Sequence, residues 1–332
     1  LCVSCKGCKR ECPTGVDMAR MKIEYLAQYR ARHAPSLRER LIAWLPRYAP
    51  LAARLAPLAN LGTSLARGRL GFSTRRALPR WRSDVFSATA APDADVVLFV
   101  DTFTRYFEPE NARAAIKVLE AAGYKVHATE GLCCGRTFLS AGLVEQARTE
   151  ARRMAMALQP FVARGVPVVG LEPSCLFSLR DEFTAMLPGA ETDALARQAV
   201  LLEEFLAAEA DAGRLQLRLK PLAEEALLHG HCHQKAFGAM GAAERALRLI
   251  PELKMSVIES SCCGMAGSFG YEAEHYDVSM KMAEANLLPA VRSAPPEVLI
   301  IADGTSCRQQ IAHGTGREAL HVARVLERAL AD

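Results

Sequence analysis

Two cysteine pairs, each followed by glycine, are the residues of this chain best suited to chemistry. Cys262 and Cys263 run directly into a turn at Gly264, and Cys133 and Cys134 run into Gly135. Adjacent cysteines rarely form a disulfide with each other. Both can face one soft metal centre if the backbone bends sharply, and glycine permits that bend. The alternative interpretation is a set of buried, inert thiols.

The backbone after each pair is a second feature of this motif. Successive N–H groups near Gly135, Gly264 and Gly267 can form a concave nest of donors. Such nests stabilise anionic groups, including iron–sulfur clusters. We therefore expect these three glycines to take part in binding a cofactor.

Further matches between two parts of the chain indicate an internal repeat. Cys175, which follows Glu-Pro-Ser, corresponds to Cys307, which follows Gly-Thr-Ser, and Cys232 corresponds to Asp101 at nearly the same offset. Landmarks that recur in the same order at similar spacing are typical of duplicated units. Cysteines in the loops of such a repeat resemble a ligand set more than scattered core residues.

The N-terminal segment contains the most specific spacing. Cys2, Cys5, Cys8 and Cys12 form the pattern Cys-x2-Cys-x2-Cys-x3-Cys-Pro, which wraps three thiolates around one face of a cubane iron–sulfur cluster. Zinc is the rival metal, since Cys-x2-Cys is also half of a zinc knuckle. Cys12 either completes this cluster or serves another whose remaining ligands precede Leu1. We favour the second, and we expect the chain to be the C-terminal part of a longer protein.

The composition is that of a large globular protein in a reducing compartment. The chain has 332 residues, 50% of them hydrophobic, and its 11 cysteines lie in tight clusters. This pattern favours metal ligation over a secreted disulfide framework. The sequence shows neither a secretory signal nor an apolar run long enough to span a membrane, so we expect a cytoplasmic protein.

The net charge of +4 conceals an asymmetry along the chain. Residues 1–82 contain 17 lysines and arginines against four acidic residues, whereas the rest contains 24 against 33. A locally basic segment suits an acidic partner or an anionic membrane surface, such as the inner face of the membrane. Nucleic acid is not an expected partner, because this segment has few aromatic residues for stacking and no recognisable nucleic-acid-binding motif.

The basic part divides into a motif, a helical arm and the start of a linker. Residues 1–16 hold the ferredoxin-type cysteines, and residues 17–82 are predicted to form a basic helical arm that begins at the N-cap Asp17 and is cut by prolines. Residues 83–94 are predicted to be a linker. The arm either packs on the neighbouring structure or docks to a partner or a membrane surface.

The remaining chain alternates between apolar strands and helices, in a first repeat at 95–222 and a second at 223–332. Strands are predicted near residues 95–100, 124–128, 166–170, 226–229, 254–258 and 298–302. The pattern predicts the α/β class: an N-terminal helical ferredoxin-like segment, then two tandem, pseudo-twofold-related α/β repeats with parallel sheets. Every landmark follows a strand, so the landmarks of each repeat should converge at the carboxyl edge of its sheet.

The second repeat offers a complete set of cluster ligands. Its four thiols suffice for one [4Fe–4S] cluster, and they belong to Cys232, Cys262, Cys263 and Cys307. His231 and His233 flank the first of these and can ligate zinc, relay protons or satisfy the end of the strand.

The first repeat offers three thiols, from Cys133, Cys134 and Cys175, with Asp101 at the fourth position. Because a soft cluster prefers sulfur, this site is degenerate, contributes ligands across the pseudo-twofold axis, or holds zinc. We therefore expect one or two [4Fe–4S] clusters in the chain.

These motifs resemble a known family. The duplicated Cys-Cys-Gly motifs are similar to the cysteine-rich CCG domain found in heterodisulfide reductase, which also occurs in anaerobic glycerol-3-phosphate dehydrogenase and in the iron–sulfur component of glycolate oxidase. With the N-terminal motif and the basic arm, the whole chain resembles the C-terminal iron–sulfur part of the fused FAD-binding/(Fe–S)-binding oxidoreductases. These include D-2-hydroxyglutarate and D-lactate dehydrogenases.

The resemblance implies electron transfer. FAD and a hydroxyacid would bind to an upstream domain or a separate dehydrogenase subunit. This chain, without catalytic residues of its own, would pass electrons from the flavin to a quinone or an acceptor protein.

One departure from the reductase-type pattern bears on the alternatives. That pattern ends each repeat with Cys-x-x-Cys, but Ser178 and Gln310 stand at the second positions here. The departure disfavours a catalytic, disulfide-cleaving module of the heterodisulfide reductase type. A zinc-stabilised docking module is the other alternative.

Overall fold

Two parallel β-sheets carry the alternating part of the chain. The computed structural model describes residues 2–331. Its strands are β1 (Val96–Phe99), β2 (Val126–Ala128), β3 (Val168–Gly170), β4 (Ala199–Leu201), β5 (Glu225–Leu228), β6 (Lys254–Val257) and β7 (Leu299–Ile301). The first sheet has the order β2-β1-β3-β4 and the second has the order β6-β5-β7. Every pairing is parallel, so the predicted α/β class is confirmed. The relation of the repeats by a pseudo-twofold axis stays a prediction.

The helices of the described residues fall into three groups. The N-terminal group contains α1 (Gly7–Glu11), α2 (Met18–Arg30), α3 (Leu37–Ala43), α4 (Leu45–Arg54) and α5 (Ala56–Ala66). The group around the first sheet contains α6 (Thr102–Tyr106), α7 (Pro109–Ala121), α8 (Arg136–Ser140), α9 (Val144–Val162), α10 (Pro173–Arg180), α11 (Glu182–Met186), α12 (Ala190–Gln198) and α13 (Leu202–Asp211). The group around the second sheet contains α14 (Cys232–Ala236), α15 (Met240–Arg248), α16 (Tyr276–Glu284), α17 (Leu287–Ser293), α18 (Thr305–Thr315) and α19 (Val322–Arg328), with short 3-10 helices at Phe269–Tyr271 and Ala273–His275.

The strands of the first sheet are buried on both faces, as their continuous apolar runs predict. All four residues of β1 are buried, and Val97 pairs with His127 of β2 and with Val168 of β3. Strand β4 is missing from the sequence prediction, because three residues that continue directly into α13 are too short to show a periodicity. In the second sheet the matching place holds an isolated parallel bridge between Ile301 and Leu320.

The two repeats share one hydrophobic core. Helix α7 of the first repeat packs against α19 of the second, and α13 packs against α15. The fully buried side chains between these helices include Val118 and Leu206 from the first repeat and Leu247 and Leu326 from the second. Neither sheet therefore buries its inner face without the other repeat.

The predicted helical arm packs on the first repeat with one face and exposes the other. Helix α3 contacts α8, and α4 contacts α6. Small residues line the inner face, where Ala49 and Ala56 lie against the buried ring of Trp81. The outer face of α4 and α5 exposes a stripe of leucines, Leu51, Leu55, Leu58, Leu61 and Leu65. Within residues 2–331, no helix combines the length and the apolar character needed to cross a bilayer.

The segment after α5, which includes residues 67–82 at the end of the predicted helical arm, is irregular but anchored. Residues 71–73 run antiparallel to residues 271–273 of the second repeat, and the Ser73 amide donates to the Tyr271 carbonyl at 2.7 Å. Further on, Phe86 buries its ring in the shared core. The predicted linker at 83–94 therefore contains fixed contacts, and the division into five domains stays a prediction.

A buried ion pair joins the repeats at the ends of α7 and α18. Arg308 donates to both carboxylate oxygens of Glu108, and the Thr305 hydroxyl donates to the same carboxylate at 2.8 Å. Burial alone raises the pKa of Glu108, but the charge of Arg308 and these hydrogen bonds hold that pKa below its ordinary value. The pair therefore stabilises the junction of the repeats in its charged form.

We expect Glu108→Gln to lower the free energy of unfolding of the metal-free protein by about 3 kcal/mol, because it removes the only carboxylate that pairs directly with the buried guanidinium among the described residues. The lowered pKa means that the contribution is present above the unfolded-state pKa of Glu and disappears as the pH falls through the folded-state value. On acidification below about pH 4.3, the Glu108→Gln variant should therefore lose less stability than the unaltered protein does. Urea unfolding at several pH values checks this, with Glu318→Gln, in an exposed pair with Arg324, as the matched control. Equal stability of the two variants would contradict the expectation.

Candidate metal centre

The four cysteines of the second repeat meet at the carboxyl edge of their sheet. Cys232 follows β5, Cys262 and Cys263 follow β6, and Cys307 follows β7. Their thiols neighbour one another in a continuous row, with 232 beside 262, 262 beside 263 and 263 beside 307. No cysteine within residues 2–331 is in a disulfide. The structure thus brings together all four thiols that the sequence assigned to one site.

The three cysteines of the first repeat form a smaller group in the matching place. The Cys134 thiol contacts both Cys133 and Cys175, and all three residues are buried. This group has the geometry of the second site without its fourth thiol.

The residue at the fourth position of the first repeat is not the one that the sequence indicated. Cys232 is the first residue of α14, with His231 as its N-cap, whereas α6 begins at Thr102 with Asp101 as its N-cap. The structural counterpart of Cys232 is therefore Thr102, and Asp101 corresponds to His231. The sequence match was wrong by one residue.

Asp101 is fully engaged as a helix cap. Its carboxylate accepts the amides of Phe103 at 2.8 Å and Thr104 at 3.1 Å, and it accepts the Thr104 hydroxyl at 2.6 Å. Burial, followed by the neighbouring charge of Glu172, raises the pKa of Asp101 to about 6. Its oxygens therefore satisfy the backbone rather than completing a ligand set.

The glycine after each cysteine pair shapes a sulfur-binding turn. The Gly264 amide donates to the Cys262 sulfur at 3.4 Å, and the Gly135 amide donates to the Cys133 sulfur at 3.3 Å. Both glycines are left-handed, with φ of +84° and +75°. A Cβ on Gly264 would lie 2.3 Å from the Ser279 carbonyl oxygen. Gly267 is also left-handed, but within residues 2–331 its amide makes no hydrogen bond to sulfur.

Burial keeps these thiols protonated when no metal is present. The hydrogen bond with Cys134, together with burial, raises the pKa of Cys133 well above its ordinary value. A hydrogen bond from Cys134 lowers the pKa of Cys175, but burial and the charges of Asp101 and Glu172 raise it to about 12. A metal that binds here must therefore displace protons, so metal binding should depend on pH.

The N-terminal motif lies directly against the second site. Helix α1 packs on α14, and the charges that act on Cys5 are those of Cys232, Cys2 and Cys8. The Cys12 side chain instead contacts Thr14 at 3.1 Å and is partly exposed to solvent. The motif thus presents three cysteines on the side of the second repeat, and Cys12 is not among them.

A buried charge network connects the motif to both repeats. The Lys6 side chain is 1% exposed and contacts Asp181 and Glu182, the latter at 2.8 Å. Arg136 lies 3.4 Å from Glu182 and 2.8 Å from the His233 ring nitrogen Nε2. Burial lowers the pKa of Arg136, but Glu182 and the nearby thiols raise it above its ordinary value. The cation therefore stands between the two groups of cysteines.

The histidines beside Cys232 could supply zinc ligands, since the ring nitrogens of His231 and His233 lie within 4.8 Å of its sulfur. Both already have other roles. His231 accepts the His233 amide at 3.1 Å as the cap of α14, and His233 contacts Arg136. The arrangement favours a structural role for both rings.

Two residues near the sites went unnoticed in the sequence. Lys6 carries no periodic signal that would reveal its burial. Glu172 accepts the Ser174 hydroxyl at 2.8 Å, as cap of its own helix, and the Thr305 amide at 2.8 Å, at the start of α18. An acidic residue before a helix-starting proline is a recognisable cap, but its second contact, in the other repeat, is not.

The positions of the missing reductase-type cysteines hold structural hydrogen bonds. The Ser178 hydroxyl donates to the Ser174 carbonyl at 3.0 Å, and the Gln310 side chain donates to the Ser279 carbonyl at 3.2 Å. Neither residue offers sulfur. The sites are thus limited to the three and four thiols already described.

A cavity of about 140 Å³ adjoins the first site, which is the size that holds a molecule such as benzene. Cys133 and Thr102 line it, together with the basic residues Arg47, Arg105 and Arg153. Pro46 and Pro50 of α4 also line it, together with Glu150, which pairs with Arg47 and Arg153.

The residues present suit iron–sulfur clusters. The donors are unpaired thiols, amides point at the cysteine sulfurs, and the cations Lys235 and Arg136 lie close to Cys232. Soft sulfur donors, amide hydrogen bonds and nearby positive charge are the features that hold an anionic cluster. Cys232, Cys262, Cys263 and Cys307 would hold one cluster, and Cys2, Cys5 and Cys8 would supply ligands for another.

The model of the cysteine-rich CCG domain matches this chain twice, at residues 97–180 and 226–312. The chain belongs to the CCG cysteine-rich domain family. The two matches coincide with the two sheets and their cysteine groups, so the predicted duplication of CCG domains is confirmed.

Curated relatives extend the similarity beyond the two domains. The chain is 30% identical to a subunit of the anaerobic glycerol-3-phosphate dehydrogenase of Escherichia coli K12, over 90% of this chain and 78% of that protein. It is 26% identical to D-2-hydroxyglutarate dehydrogenase of the same strain, over 98% of this chain but 34% of that longer protein. It is 25% identical to lactate utilization protein A 2 of Bacillus cereus Q1, over 71% of this chain and 98% of that protein.

We expect Gly264→Ala to destabilise the protein by at least about 3 kcal/mol, because the new methyl group meets the Ser279 carbonyl and the left-handed backbone disfavours any side chain. Gly267→Ala is the matched control in the same loop. It has the same kind of backbone strain but no atom within 4 Å of the new Cβ, so its cost should be about 1 kcal/mol. Thermal unfolding of both variants measures the difference. Equal losses would show that the close approach to α16 is unimportant.

Proposed function

We propose that this chain is the iron–sulfur electron-transfer module of an FAD-linked D-2-hydroxyacid dehydrogenase or oxidase. The substrate would be of the D-2-hydroxyglutarate, D-lactate or glycolate type. The module would pass electrons from the flavin to a quinone or an acceptor protein. When bound, the clusters supply one-electron transfer, and the chain supplies their ligands, their burial and the surrounding charge.

The observation that carries this proposal is the packing of α1, which contains Cys8, against α14, which begins at Cys232; the Cys5 thiol lies near enough to Cys232 for their charges to interact. This packing puts the N-terminal cysteines beside the four-thiol site of the second repeat. Electron transfer between two centres requires a short separation between them. A zinc-stabilised docking module would not require its metal sites to lie close together. The absence of sulfur at Ser178 and Gln310 disfavours the disulfide-cleaving alternative.

The proposal assigns partners and a location. An FAD-binding dehydrogenase domain or subunit would be the electron donor, and the names of two relatives, which state a dehydrogenase, support such a partner. We place the module in the cytoplasm, in peripheral contact with the inner face of the membrane. The division into motif, arm, linker and two repeats at 1–16, 17–82, 83–94, 95–222 and 223–332 belongs to the same proposal.

We expect Cys262→Ala to remove about four irons and four acid-labile sulfides per chain from the anaerobically purified protein, because it deletes a ligand of a [4Fe–4S] cluster. The N-terminal cluster should remain. The matched control is Ser261→Ala, at the exposed residue before the pair, which should keep full iron. Zinc without sulfide in the unaltered protein would overturn the proposed function.

The leucine stripe on α4 and α5 supports the membrane contact. Leu58 is 67% exposed and Leu65 is 74% exposed, although leucine is usually buried. Arg54 and Arg69 are exposed beside the stripe. Apolar residues flanked by arginine are typical of helices that lie on anionic membrane surfaces.

We expect Leu58→Gln with Leu65→Gln to weaken binding to vesicles containing anionic lipid by at least about tenfold, since each leucine buried in the interface contributes on the order of 1.5 kcal/mol. The matched control is Met156→Gln, which changes an apolar side chain that is 77% exposed on a helix of the first repeat. Co-sedimentation with vesicles measures both variants. If the stripe variant sediments like the control, the membrane contact is not made by this face.

A further inference from the structure

Arg76 is a buried cation without a counter-ion. The residue is 3% exposed, and within residues 2–331 its guanidinium makes no ion pair. Its NH groups point at the sulfur atoms of Met265 and, at 3.1 Å, Met280, while its Nε has no hydrogen-bond partner. A buried charge with such weak partners is costly unless another group compensates it.

The other two buried arginines of the described residues have oxygen partners. Arg308 pairs with Glu108, and Arg105, which also has no ion pair in the described part of the chain, donates to the backbone carbonyls of Phe86 and Thr129. The titratable groups whose charges interact with that of Arg76 are Tyr271, Tyr276, His313 and a single thiol, that of Cys263. The rings of both tyrosines lie within 6 Å of the guanidinium carbon.

The position of Arg76 is fixed by the fold. The Ser73 amide and the Gly71 carbonyl hold the preceding residues against residues 271–273, and Arg67 donates to the Arg76 carbonyl at 3.1 Å. The side chain enters the loop that begins with the cysteine pair, where Met265 is fully buried. A residue of the irregular segment after the arm is thereby locked against the second site.

We propose that Arg76 is a further, fully internal counter-charge, besides Lys235 and Arg136, of the metal–thiolate centre held by Cys232, Cys262, Cys263 and Cys307, and that it raises the reduction potential of that centre. This inference rests on the proposed function, because it requires a metal in the second repeat. Four thiolates and a cluster core carry a net negative charge, which increases by one when the centre accepts one electron from its donor and no proton. A fixed cation stabilises the reduced state more than the oxidised state.

The counter-charge also explains why an unpaired arginine is retained. In the metal-free protein, the groups that face the guanidinium among residues 2–331 are methionine sulfurs and tyrosine rings, and no carboxylate pairs with it. Arg76 is then destabilising. With the centre bound, the same guanidinium faces an anion. The effect of removing its charge should therefore change sign with metal occupancy.

The test compares Arg76→Met, Arg76→Lys and Arg75→Met in the full chain. Arg76→Met removes the charge at similar volume, and Arg76→Lys retains it. Arg75→Met is the matched control, since Arg75 is the adjacent residue, 62% exposed and paired with Asp277. The measurements are iron and zinc content, EPR-monitored redox titration of the anaerobic protein, and thermal unfolding of the metal-free and metal-loaded forms.

We expect Arg76→Met to lower the reduced-to-oxidised ratio of the second centre about tenfold at a fixed potential, which is a shift of about 59 mV for one electron. Arg76→Lys should retain most of the unaltered value, and Arg75→Met should match it. The metal-free form of Arg76→Met should unfold at a higher temperature than the unaltered protein, and its loaded form should lose metal faster.

The outcomes separate the two proposals. If the unaltered protein holds iron in the second repeat but Arg76→Met leaves the potential and the rate of metal loss unchanged, the inference fails and the proposed function stands. If the second repeat holds zinc, there is no redox titration to measure. The inference then requires that Arg76→Met raises the unfolding temperature of the metal-free form and lowers that of the loaded form. It is overturned if the effect has the same sign in both forms. If the repeat binds neither metal, both proposals fail together.

Discussion

A buried row of alternating charges holds the three groups of cysteines against one another. Asp181 and Glu182 contact Lys6 inside the N-terminal motif, and Glu182 also faces Arg136. Arg136 in turn acts on thiols of both repeats. Removing one partner of a buried ion pair leaves the other uncompensated, at a cost of several kcal/mol, so the row behaves as a unit. These ion pairs hold the N-terminal motif against the repeats, so the short separation of the cysteine groups follows from charge as well as from topology.

The same principle accounts for much of the uneven charge along the chain. The basic N-terminal part suggested an acidic partner. Some of the acidic groups that it pairs with belong to the repeats of the same chain. Arg20, Arg38 and Arg47 pair with Asp181, Glu274 and Glu150, all of which lie in the repeats. What remains free on the arm is the leucine stripe with its flanking arginines. The apolar face is thus a better indication of an external contact than the net charge.

Much of the fold was predictable from the sequence, because buried parallel strands have short, continuous apolar sequences and the cysteines follow these strands. All six strands expected from those runs are present, and only β4 was missed, being too short to carry a pattern. The candidate site was less accessible. Asp101 was matched to Cys232 instead of His231, because a one-residue shift is visible only in where each helix begins. The burial of Lys6, the link through Glu172 and the inward direction of Arg76 depend on contacts between distant segments, which no local spacing encodes.

The shared core between the repeats has a consequence for how such a chain can evolve. After duplication, two copies that each keep their own core can diverge, and either can be deleted. Here α7 and α13 of the first copy cover surfaces of α19 and α15 of the second, so loss of one copy would expose the interior of the other. A repeat that covers the core of the other can therefore lose a metal ligand, as Thr102 in place of a cysteine illustrates. Selection still retains it, because the other repeat needs it in order to fold. Two repeats of common origin can thus differ in the metal sites that they form and still remain together in one polypeptide.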